Sequence, residues 1–150
     1  MREWFFNLGI YLATVALGYV LWLIVLPASW ELADLARLGI NDFLMSGDTT
    51  VLLDQENDPR ASYLSSVVFW TQIGFLFGPF IAAAFMLPKA ARAESVVNCA
   101  TAVALALLTS KIVTGFPLFD FKNIFLWGAA GLVIFLAIVA IRSRRNSPVV

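Results

Sequence analysis

Apolar residues run along this chain in four long blocks, and short clusters of charge, glycine and proline separate them. A helix needs roughly 20 residues to cross hydrocarbon about 30 Å thick. Residues 5–26, 61–87, 96–113 and 124–141 meet or approach that length without an internal aspartate or glutamate. The pattern predicts an all-α integral membrane protein whose 150 residues form a single membrane domain, a bundle of four transmembrane helices.

The block ends carry conventional punctuation. Pro27 follows the first block and predicts its stop, because proline lacks an amide hydrogen and its ring crowds the preceding turn. Asp58, Pro59 and Arg60 open the second, with aspartate at the N-cap and proline at the first helical position. Pro88 closes it, and Pro79 within it predicts a kink. The third block is the shortest, since Lys111 must reach out to water near its end. Arg142, Arg144 and Arg145 form a basic stop after the fourth.

Between the first two blocks the period changes. Over residues 29–45, Leu32, Leu35, Ala36, Gly39, Ile40 and Phe43 fall on one side of a helical projection, and Asp34, Arg37 and Asn41 fall on the other. This predicts an additional amphipathic interfacial helix, lying on lipid or folded over the bundle. Residues 46–58 then read as a polar, acidic loop that opens with Ser46, Gly47 and Asp48. A turn rich in phenylalanine, residues 115–121, joins the third and fourth blocks, and no internal repeat is evident.

Charge sets the expected orientation. Cytoplasmic flanks carry the excess of Lys and Arg. With the N-terminus inside, Arg2, Lys89, Arg92, Arg142, Arg144 and Arg145 are cytoplasmic, and Glu3 and Glu94 are the acids that join them. The expectation is therefore a multi-pass protein of a cytoplasmic-type cell membrane with both termini inside. A signal peptide is the competing reading of the first block, but its run exceeds the usual hydrophobic core, and Pro27, Ala28 and Ser29 make a poor cleavage site.

Composition sharpens this. The chain is 61 % hydrophobic and 13 % charged, against about 25 % charged in soluble domains. Ten basic and ten acidic residues cancel, so no nucleic-acid partner is expected. Histidine is absent, which removes the usual haem and zinc ligand and the commonest proton shuttle. Cys99 is the only cysteine, so it cannot form an intramolecular disulfide or a Cys-x-x-Cys pair. No cofactor or metal is expected. Asp54, Glu56 and Asp58 alternate like the start of a calcium loop, but the sixth position is Pro59 and the twelfth is Ser65. With Asp48 they read as a solvated outer acidic loop.

Inside the blocks, polar residues gather on arcs: Asn7, Tyr11 and Thr14 in the first, Gln72 in the second, and Asn98, Thr101 and Thr109 in the third. Such groups avoid lipid, so they are expected in the bundle interior as interhelical glue, or as the lining of a small polar pathway or of a pocket for a lipid head group. Gly74 and Gly78, with Gly128 and Gly131, offer surfaces on which another helix can pack closely. Cys99 reads as a small buried residue, with reversible acylation as the other possibility.

No ionisable residue sits at mid-membrane depth, which disfavours a proton-driven exporter. Ser/His and Cys/His nucleophilic pairs are impossible within this chain. The expectation is a non-enzymatic accessory or assembly subunit that packs against a larger membrane protein or its own copies within the lipid bilayer. The alternatives are a small channel or facilitator for a neutral or cationic solute, and a lipid- or thiol-modifying enzyme relying on Arg92 or Glu94.

Overall fold

The structure is a computed structural model that describes residues 2–51, 54, 57–89, 91–114 and 121–144, with the backbone alone for residues 121–124. Glu56, Arg145 and residues 115–120 of the expected turn lie outside the described residues. The ordered elements are α1 (Arg2–Ser46), α2 (Pro59–Met86), α3 (Ala93–Thr114) and α4 (Phe121–Arg144). Among the described residues there is no strand, and four helices are long and apolar enough to cross a membrane.

The expected break at Pro27 does not occur. A single 45-residue helix contains it, so the separate interfacial helix expected over residues 29–45 is instead the second half of α1. The reason is one of bookkeeping between backbone bonds. An internal proline removes one bond and costs about 3 kcal/mol, whereas ending one helix and starting another strands four carbonyls and four amides. One turn past the break, the Ser29 hydroxyl donates to the Val25 carbonyl at 2.8 Å, which adds a local bond. At 1.5 Å per residue α1 is about 68 Å long, roughly twice a hydrocarbon core.

The helix ends use local chemistry. Gly47, at φ 67°, ends α1 in the left-handed region, where its amide donates to the Phe43 carbonyl at 2.8 Å. Asp58 caps α2 by accepting the Arg60 amide at 2.8 Å, and Pro59 takes the first helical position. Pro79 is accommodated inside α2.

The chain divides into two compact units, Met1–Val20 with Gly74–Val150, and Leu21–Ile73. In the first, the start of α1, the end of α2, α3 and α4 surround a core that includes Phe80 and Phe135, whose rings meet edge to face with centroids 6.5 Å apart. The inward stripe of α3 is Cys99, Val103, Ala106 and Ser110, small side chains at helical spacing that let neighbours approach. Gly131 of α4 is required at its position, since a Cβ there would lie 2.5 Å from the Phe80 ring. Gly18 is likewise closed, with the Ser110 hydroxyl and Phe75 ring 2.7 Å from where its Cβ would stand.

The second unit holds the rest of α1 and the start of α2, with Val25, Ala28, Val68 and Gln72 buried. Gly39 is also buried, while Leu32, Leu35 and Phe43 are half-buried. Ala36 and Ile40, expected on the same side, are exposed. Both apolar and charged residues therefore occupy the outer surface of this part of α1.

Candidate functional site

The first unit contains a polar seam. Thr109 has one hydroxyl hydrogen and gives it to the Leu105 carbonyl at 2.8 Å, so the 3.0 Å contact between Tyr11 and Thr109 has the tyrosine as donor. Thr14, Ser110 and Thr114 are buried. Thr114 donates back to the Ser110 carbonyl at 2.6 Å, while the Ser110 hydroxyl has no partner among the described residues. Thus Tyr11, Thr14 and Thr109 lie in or beside the interior of this unit, and Asn7 is half-buried.

Asn98 and Thr101 are exposed on α3. Thr101 satisfies its own hydroxyl by donating to the Val97 carbonyl at 2.9 Å, which removes the penalty that would have turned it inward. In the second unit Gln72 is 3 % exposed, and its amide nitrogen is buried without a partner among the described residues.

The glycines sort by what surrounds them. Gly131 is packed shut, whereas Gly74, Gly78 and Gly128 meet nothing within reach of a Cβ. Gly78 lies in a groove of about 490 Å³ between α1 and α2, with Gly9, Ala13, Thr14, Pro79 and Ala82 among its walls. Gly128 lies in a second groove, of about 420 Å³, where Leu76, Phe80, Ala100, Thr101, Ala104 and Leu132 join it. Both grooves are almost wholly apolar.

The acidic loop residues serve the backbone. Asp48 accepts the Thr50 amide at 2.9 Å, and bonds from Thr50 hold its carboxyl below the usual carboxylate range. Asp58 is the α2 cap, and Asp54 is exposed. Among the described residues no three acidic or cysteine side chains converge to hold a metal ion.

Arg142 has a role that charge counting missed. Its guanidinium reaches from α4 to the end of α2, donating to the Ala84 carbonyl and, at 3.3 Å, to the Leu87 carbonyl. It also stands 5.5 Å from the Phe85 ring centroid. The last carbonyls of a helix lack internal donors, so a cation from a neighbour fits them. The one available signal was the coincidence of a basic stop with a helix end lacking basic residues in its last turn. Ser95 donates to the Glu3 carboxylate at 3.0 Å. Together these contacts place the starts of α1 and α3 and the ends of α2 and α4 at one end of the unit, with Arg2, Lys89, Arg92, Arg142 and Arg144.

Comparison with known protein families, with characterised proteins and with solved structures returns no match to this chain.

Proposed function

We propose that this chain is a non-catalytic, multi-pass membrane protein with both termini cytoplasmic, an accessory or assembly subunit that packs against another membrane protein or its own copies. The basic residues gathered at one end of the first unit support the orientation, because the cytoplasmic side retains positive charge. The observation that carries the assembly reading is the groove between α1 and α2. Gly9 and Ala13 on one wall, and Gly78 and Ala82 on the other, are spaced at one helical turn. Among the described residues no side chain fills the space beside Gly74 or Gly78. A helix seated there gains the close backbone contact that drives association in lipid, where no hydrophobic force distinguishes protein from acyl chain.

A channel for a neutral or cationic solute draws on the unpartnered Gln72 amide and Ser110 hydroxyl. It is the weaker reading because Ser110 is 1 % exposed and Gly18 is closed against it. Elsewhere in the seam the Tyr11, Thr109 and Thr114 hydroxyls bond to one another or to their own helices.

Mass measurement of the protein in mild detergent, with crosslinking in its native membrane, tests the proposal. An assembly is expected, and Gly78→Leu, which fills the groove, should dissociate it while leaving helix content unchanged. A lone monomer that crosslinks to nothing overturns the reading.

A further inference from the structure

The second unit carries a pocket that the assembly reading does not use. It measures about 510 Å³ and is lined by Glu31, Asp34, Leu35 and Leu38 of α1 with Arg60, Tyr63 and Leu64 of α2. Two carboxylates stand on one wall and a guanidinium on the other. Among the described residues none of the three charges is joined in an ion pair. The leucines give the same pocket an apolar floor.

Its level along the helices is set by sequence. On α1 the four residues from Leu23 to Leu26 close the apolar run shortly before Glu31, and on α2 the run resumes at Val67, just beyond Leu64. Trp30 and Tyr63 are 67 % and 69 % exposed at that level, where aromatic side chains mark the boundary between hydrocarbon and head groups. A pocket there meets a phospholipid head group before it meets any soluble molecule.

From this we propose that the pocket binds the head group of a zwitterionic phospholipid bearing a primary ammonium, a phosphoethanolamine lipid. Arg60 takes the phosphate through its paired N–H groups. Glu31 and Asp34 accept hydrogen bonds from the ammonium, whose three donors a trimethylammonium lacks. Leu35, Leu38 and Leu64 meet the start of the acyl chains. An anionic lipid leaves the two carboxylates facing its own negative charge, so charge complementarity selects the zwitterion. The inference rests on the membrane reading of the chain but not on its having a protein partner.

The full-length protein in nanodiscs of mixed phosphatidylethanolamine, phosphatidylcholine and phosphatidylglycerol, followed by native mass spectrometry of retained lipid, tests it. Phosphatidylethanolamine should be retained in preference to both others. The pair Glu31→Gln with Asp34→Asn, which removes the acceptors for the ammonium, should reduce that preference about tenfold, and Arg60→Gln should lower retention of all three lipids, since each carries the phosphate it binds. Lys89→Gln should leave both unchanged. These positions are exposed, so unchanged helix content is expected and is checked by circular dichroism. Equal retention of phosphatidylglycerol, indifference to both sets of substitutions, or displacement of the lipid by soluble phosphoethanolamine at matched concentration overturns the proposal. Release of the chain from membranes by an alkaline wash would instead strike the membrane reading itself.

Discussion

Two helices of similar apolar character, α3 and α4, are used in different ways. In their most apolar windows 39 % of α3 is buried inside the chain, against 11 % of α4. The difference lies in side-chain size along one stripe. Cys99, Val103, Ala106 and Ser110 let other helices approach α3 closely. In α4, Leu126, Val133, Leu136 and Ile141 point outward, and α4 meets α3 and touches α2 through Trp127 on Phe77, Gly131 and Phe135 on Phe80, and Arg142 at the end of α2. Apolarity admits a helix to a membrane, and small side chains decide whether it becomes central. A helix attached at a few positions should be the easier one to release.

The largest expected effect is at Phe135, which is fully buried. Phe135→Ala should cost about 3 kcal/mol through the cavity it leaves. Leu136→Ala, one residue along on the exposed face, should cost far less. Unfolding by denaturant in detergent reads both, and equal losses would mean that α4 is covered on all sides. Next comes Gly131→Ala, whose Cβ collides with the Phe80 ring and should cost about 1–3 kcal/mol. Gly128→Ala, with open space around it, should be neutral or slightly stabilising through helix propensity. Parallel thermal melts separate them.

Arg142→Gln should cost about 1–2 kcal/mol, since it removes a charged donor from carbonyls that have few others. Arg144→Gln, at an exposed position with no comparable contact among the described residues, serves as its control. Accessibility of a cysteine placed at Ile138, which is half-buried, should rise in the first variant and not in the second. The smallest effect belongs to Asp48, far from this contrast. Its carboxyl is stabilised as the anion in the folded loop, so its contribution is present above the unfolded value near 3.8 and is lost as pH falls through the lower folded value. Exchange of the Thr50 amide should therefore quicken only in that acidic window, and Asp48→Asn should flatten the dependence.

The positions of the four apolar helices were readable from the sequence, because the length and purity of apolar runs are local properties. So were the chemistries available at Asp58 with Pro59 and at Gly47, where capping needs only neighbouring residues. The continuity of α1 through Pro27 was not readable. A proline rule weighs one missing bond, and the outcome turned on the larger number of bonds that a real break would strand. The placement of Asn98 and Thr101 was also hidden. Polarity alone points their arc inward, yet Thr101 answers its own hydroxyl within the helix, and the small residues on another arc of α3 occupy the interior.

What the amino-acid order determined by itself is thus which segments are helical, where most of them end, and which end of each run is basic. Those follow from hydration, propensity and capping acting within a few residues. Tertiary structure alone decided which of four glycines is closed, that Arg142 serves a helix other than its own, and that Glu31, Asp34 and Arg60 share one pocket. These depend on which surfaces come together across distant parts of the chain, and on a helix every position has several neighbours it could meet.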